Sequence, residues 1–385
     1  MGPRFKLRTL GIAAGGALVI ALSTGAGKPQ DNTTYSFVLT NMAMAFYRGD
    51  EKIDCPEGRS HTVREAFLAT QSAAERERLL KPENSVEFER KYKGDFVNGP
   101  GGRNICTDSA YFDTPDRALQ KTVQSKIGPG IDLDGATAGQ TAPGTCAHES
   151  FTSPTGEAGV DNQFFRAVAC NTAWRGASTG QGDFAGGFYF TTSPAVVLVR
   201  DVQSWTDDPH VEVIIAASRD KPMLDADQKT VPGSSMTVLD NPRYRNVLNG
   251  RIEHGVLTTE PANLVLPYAW VGASGGELLL NHIRLRLRLM PDGGLQGQAG
   301  AYQPIDNALA VPHVGGPGVA SVAGLECASV RKTLRVLADG DRDPKTGQCA
   351  SVSIGMNFGA APAFVFDKGV LAGSPGGGAI RQAQR

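Results

Sequence analysis

Ile283-Arg284-Leu285-Arg286-Leu287-Arg288-Leu289, then Pro291-Asp292-Gly293-Gly294 and a return through Leu295 to Tyr302, is the stretch on which the fold turns. Apolar and basic residues alternate strictly, which is the two-residue period of a strand with one buried face. The Pro-Asp-Gly-Gly run supplies the tight turn that sends the chain back. The leucines therefore point to a core, and Arg284, Arg286 and Arg288 share the opposite face about 6.6 Å apart.

Working outward, similar runs read as strands at Phe188 to Phe190, Ala195 to Val202, Val211 to Ala217, Ser235 to Leu239, Gly250 to Thr258 and Asn263 to Tyr268. Others follow at Ala350 to Phe358 and Ala363 to Phe366. Many short strands joined by turns, with 47 Gly and 23 Pro, predict a mainly β protein with flanking helices (α+β) built on an antiparallel β-sandwich or jelly-roll-like core. The helices are signalled before and after it. Thr62 with Glu65 and Ser72 with Glu75 have capping-box spacing, in which side chains satisfy the first backbone donors of a helix. Ala320 to Leu337 reads as one later helix, closed by Gly340. The organisation expected is a signal peptide over 1–27, a helix-rich region over 28–127, a β-rich core over 128–318, a helix and strand over 319–371 and a disordered tail over 372–385.

The signal peptide is read from Arg4, Lys6 and Arg8, the 13 uncharged residues from Leu10 to Leu22, and the small residues Ser23 to Gly27. That is a positive start, a short apolar core and a small-residue exit. The core falls short of the roughly 20 residues that span a bilayer, so no transmembrane span is expected once the signal is cleaved. The expected location is periplasmic or secreted. Cleavage removes three positive charges, taking the net charge from -1 to -4, which excludes a general nucleic-acid binder. Export also makes disulfides the natural state of Cys55, Cys106, Cys146, Cys170, Cys327 and Cys349. Absence of any C-x-x-C pair argues against zinc-ribbon and redox readings. A sequential pairing, Cys55–Cys106, Cys146–Cys170 and Cys327–Cys349, keeps each loop inside one segment and is the expectation.

Three sets of residues carry candidate chemistry. Arg284, Arg286 and Arg288 can hold phosphates or carboxylates through bidentate hydrogen bonds, with glycan or anionic envelope polymer as the expected partner. His148, Glu149 and Asp161, all between Cys146 and Cys170, supply the proton carriers of an acid/base site. Asp161 is equally placed to cap a helix running through Phe164 and Val168. Asp339-x-Asp341-x-Asp343 sets hard oxygens at alternate positions, as a structural calcium ion requires, although Pro344 stands where such loops use glycine. A second pair, Asp132-x-Asp134-Gly135, reads as a turn. The tryptophans Trp174, Trp205 and Trp270, with Tyr189, Tyr244 and Tyr268, supply stacking surface for sugars if exposed. H-E-x-x-H, Walker and haem-attachment motifs are absent from the sequence. The function read from all this is an exported, envelope-associated binding or accessory protein without a cofactor, apart from the calcium ion. The rivals are a hydrolase using His148, Glu149 and Asp161, and a structural envelope component.

Overall fold

The computed structural model describes residues 33–96, 118–136, 141–175, 194–227, 229–268, 276–310, 326–368 and 370–372. Its strands are β1 (Thr33–Met44), β2 (Ala195–Val202), β3 (Asp208–Ala217), β4 (Ser234–Thr237), β5 (Arg245–Glu253), β6 (Val256–Thr259), β7 (Ala262–Tyr268), β8 (Gly276–Leu289), β9 (Leu295–Pro304), β10 (Gly340–Arg342), β11 (Cys349–Asp367) and β12 (Val370–Ala372). Eight of them close a ring in the order β1-β2-β3-β5-β6-β8-β9-β11 and back to β1, with every pairing antiparallel. The β-sandwich and jelly-roll expectation is thereby corrected: one sheet closes on itself into a barrel instead of two sheets facing each other. The alternation that suggested a sandwich is the same in either architecture. The deciding contact is Phe37 to Met44 on Pro362 to Met356, which joins opposite ends of the chain.

Register shifts between Leu39 and Asn41 in β1, and between Asn281 and Arg284 in β8, bend the sheet around the closure. Inward residues alternate as the pattern requires. Phe37, Leu39 and Met42 of β1, Val197 and Val199 of β2, Val213 and Ile215 of β3, and Leu285 and Leu287 of β8 belong to one buried apolar cluster with Val352, Ile354 and Met356 of β11. Side chains fill the barrel, so its interior is a core. Helices close it: Phe164 and Val168 from α5 (Gln163–Val168), Leu309 from α6 (Ile305–Ala310), and Val330 and Leu334 from α7 (Cys327–Val336) join the same cluster. Other strands sit outside the ring. β7 pairs with β8, while β4, β10 and β12 all pair with β11. Met236 and Val365 cover the outer face of β1 to β3 in a second apolar cluster.

The helix-rich region also contains the first barrel strand, β1, ahead of α1 (Glu51–Asp54), α2 (Val63–Ala69), α3 (Ala73–Leu79) and α4 (Ser85–Phe96). Thr62 and Glu65 form the expected reciprocal capping box. The single strand read over Gly250 to Thr258 is instead the hairpin of β5 and β6, turned at His254 and Gly255, whose φ values are 50° and 75°. The two strands read near the C-terminus are one, β11. No helix among the described residues is long and apolar enough to cross a membrane.

The disulfides correct the sequential pairing. Cys55 joins Cys170 and Cys146 joins Cys349, 115 and 203 residues apart. No described cysteine is free. Cys55 and Cys170 are buried with Phe151, Val160 and Phe165, so this bridge ties the chain after β1 to the helix that plugs the barrel. Residues 1–32, 97–117, 176–193, 311–325 and 373–385 lie outside the described residues, and with them the signal peptide, the tail, Cys106 and the strand read at Phe188 to Phe190.

Close approach at the outer barrel face rests on glycines. A Cβ on Gly340 would stand 2.1 Å from the Tyr302 ring, and one on Gly300 would stand 2.7 Å from Ile131. Gly340→Ala is expected to cost about 1–3 kcal/mol through overpacking. Gly94→Ala, in α4 with nothing within 4 Å, should instead stabilise by up to about 1 kcal/mol through helix propensity. Urea melts of the two variants compare these signs directly.

Candidate functional site

The outer faces of β9 and β11 are covered by residues 128–136 and 141–163. Ile131 and Leu133 lie over Gly300 and pack on Tyr302, and bridges tie Ile131 to Asp161 and Phe151 to Val160. The helix cap falls one residue later than expected. Asn162 accepts from the Phe165 N–H, and its own amide donates to the Pro129 carbonyl. Asp161 is thus released from capping and faces His148.

His148 and Asp161 are both buried, and Nε2 stands 2.7 Å from Asp161 Oδ1. Nδ1 stands 3.0 Å from the Cys146 carbonyl oxygen. Each ring nitrogen faces an acceptor, so both carry protons and both donate. Burial opposes the imidazolium, but the Asp161 bond, the Cys146 carbonyl and nearby Asp339 outweigh it and hold its pKa at about 9. Asp161 Oδ2 accepts from the Leu133 N–H at 2.8 Å. Asp339 Oδ1 accepts from the Ser353 N–H at 2.7 Å, while Oδ2 has no hydrogen-bond partner and lies 4.0 Å from His148 Nδ1. Burial lifts Asp339 to about 7, with Ser353 and His148 pulling against it.

Tyr302 completes the floor. It is 4% exposed, and its hydroxyl has no hydrogen-bond partner. Burial raises its pKa, and Asp339, Asp161, Asp134 and Asp132 raise it further. The rim is the Asp132-x-Asp134-Gly135 turn. Asp132 Oδ1 accepts from Gly135 N–H and Asp134 Oδ1 from Ala136 N–H, as the turn reading requires. The same turn brings one ligand atom each of Asp132, Asp134 and Asp161 within 4.8 Å of one another. Burial, with Asp161 and Asp134 alongside, holds Asp132 above the usual carboxylate range.

Other expected residues fall elsewhere. Glu149 points outward to Lys126 at 2.6 Å, and only its carbonyl oxygen serves the fold, accepting from Gln163 and Arg166. His148 and Asp161 meet without it, and His148 has no lone pair left for a base or a metal ligand. Asp339, Asp341 and Asp343 do not converge. Asp341 accepts from Asn281 at 2.6 Å and from the Ser351 hydroxyl, while Asp343 accepts from the Lys345 and Thr346 N–H groups of its own turn. Arg284, Arg286 and Arg288 do face outward, between the buried Ile283, Leu285 and Leu287. Arg286 is paired with Glu157 at 2.6 Å and with Gln298, and Arg288 is exposed. Trp205 packs edge-on against Tyr35, and the Tyr244 hydroxyl donates to Glu277.

In the sequence Tyr302 marks only the end of a hairpin, and its role has no local motif. The carboxylate cluster had a faint signal in two stretches, Gly130-Ile131-Asp132-Leu133-Asp134-Gly135 and Gly159-Val160-Asp161-Asn162. Comparison with protein-family models, with curated proteins and with solved structures gives no match.

Proposed function

We propose that this is an exported, envelope-associated binding protein whose ligand, a glycan polymer, is held on the outer ledge made by residues 128–136 and 141–163 against β8, β9 and β11. The observation that carries the reading is the set of acceptors beside a histidine that cannot act as a base. Half-buried Asp132 and Asp134 form the rim over buried Asp161, Asp339 and an unpartnered phenol, which suits holding hydroxyl groups better than moving protons. The filled barrel leaves the outer surface as the place for a ligand. Disulfides and the N-terminal signal pattern favour the periplasm or exterior. Arg288, about 6.6 Å along β8 from the paired Arg286, is the group that would meet an acidic substituent on such a polymer.

The test is retention of the oxidised protein on immobilised neutral and acidic polysaccharides and on lipopolysaccharide. Arg288→Ala is expected to lower retention on an acidic polymer about tenfold, since a hydrogen bond to a charged group is worth roughly 1.5–3 kcal/mol. Asp134→Asn should weaken neutral and acidic polymers alike. No retention on any polymer, or retention that neither variant changes, overturns the reading.

A further inference from the structure

We infer that Asp132, Asp134 and Asp161 form a divalent-cation site, with calcium the best-suited ion, on the ledge beside Tyr302. Two carboxylate oxygens bound to one calcium ion at about 2.4 Å can be at most about 4.8 Å apart. The three ligand atoms lie within that limit of one another. They come from a short turn and from the residue ahead of a helix cap, so backbone hydrogen bonds to Gly135, Ala136 and Leu133 already fix them. Every donor is a hard oxygen. His148, the nearest nitrogen ligand, spends both ring nitrogens on Asp161 and Cys146, which disfavours zinc and leaves calcium or magnesium.

An independent observation points to a polar occupant. The Tyr302 hydroxyl and Asp339 Oδ2 are buried and lack hydrogen-bond partners, whereas buried polar atoms are ordinarily satisfied. Tyr302 passes between Gly340 and the Ile131–Leu133 segment that carries Asp132, and the four carboxylates all act on its hydroxyl. An ion with its remaining waters would supply what both atoms lack. Charge agrees: the His148 imidazolium stands against Asp161 and Asp339, and like charges as close as those of Asp132, Asp134 and Asp161 need a cation between them. A bound ion also makes the ledge hospitable to the acidic polymers that Arg288 would meet, but the site itself does not depend on what the polymer is.

Terbium is the direct probe, because a nearby tyrosine can sensitise its emission. The full-length oxidised protein, stripped with chelator, should show saturable tyrosine-excited terbium emission that calcium displaces, and a melting temperature that rises with calcium. Asp132→Asn/Asp134→Asn should weaken calcium binding about 10–100-fold. Tyr302→Phe should lose most of the terbium emission yet keep the calcium-dependent melting shift, which distinguishes a site beside Tyr302 from calcium bound elsewhere. If neither calcium nor magnesium shifts the wild-type melt, or if the double variant binds calcium as wild type does, the inference fails. Because melting is read without polysaccharide, that failure is separate from failed glycan retention.

Discussion

His148→Ala is expected to cost roughly 3–5 kcal/mol at neutral pH, because it leaves buried Asp161 and Asp339 without their imidazolium. The surrounding contacts set where in that range it falls. Asp161 keeps the Leu133 N–H and Asp339 keeps the Ser353 N–H, and Asp339, already lifted to about 7, can take up a proton. The penalty should be largest at pH 6.5 and below, where the imidazolium contributes in full, and should shrink toward pH 9. In the wild type the sign runs the same way. A histidine raised from 6.5 to about 9 contributes in full below pH 6.5 and loses its contribution as pH rises through about 9. Asp339, raised from 3.8 to about 7, costs nothing below pH 3.8 and costs progressively more between those values. Chelator-treated wild type should thus lose stability from pH 6.5 to 9, and His148→Ala should flatten that fall. Urea midpoints across this range measure both, and a variant within about 1 kcal/mol of wild type at pH 7 would remove the buried-charge account.

Cys146→Ser/Cys349→Ser should be comparably destabilising, for a different reason. A bridge closing a loop of about 100 residues restricts the unfolded chain by nearly 5 kcal/mol in the entropic model, and measured values run from about 0 to 5. This one spans 203 residues, so a loss of about 3–5 kcal/mol is expected. It also anchors Cys146, whose carbonyl accepts from His148, so the variant should bind calcium more weakly as well as melt earlier. Cys55→Ser/Cys170→Ser, closing 115 residues and packed on the Phe151–Val160 side of the ledge rather than beside His148, should lose similar stability and weaken calcium binding less. Equal calcium binding in both variants would show that the first bridge does not position the site.

Much of the β pattern was legible because alternation is local. Ala195 to Val202 is β2 to the residue, and the arginine strand places Leu285 inside and Arg288 outside as its period demands. What alternation cannot convey is which strands meet last. Closure depends on β1 finding β11 across the chain, and no neighbour of Phe37 in sequence records it. The site escaped for a related reason. Asp and Asn are both good helix caps, so Asp161-Asn162 could not say which residue would cap and which would turn to His148. Asp132-x-Asp134 was read as a turn, and it is one. Its second use becomes visible only when Asp161, 27 positions beyond Asp134 in sequence, is folded beside it. The same bringing-together took Asp339 away from Asp341 and Asp343, because β10 delivers it to the His148 side of the hairpin.

β11 pairs with β1, β4, β9, β10 and β12, and this has a consequence for how the protein must be made. A chain produced from its N-terminus presents β1 by residue 44 and begins β11 only at residue 349, 305 residues later. At roughly 5–20 residues per second that is an interval of about 15–60 s. Throughout it, Phe37, Leu39 and Met42 have no barrel to enter. A nascent chain stopped anywhere before β11 is an open sheet with sticky apolar surface, and folding is deferred to the final stretch of synthesis. Such a chain stays extended and threadable over that whole interval.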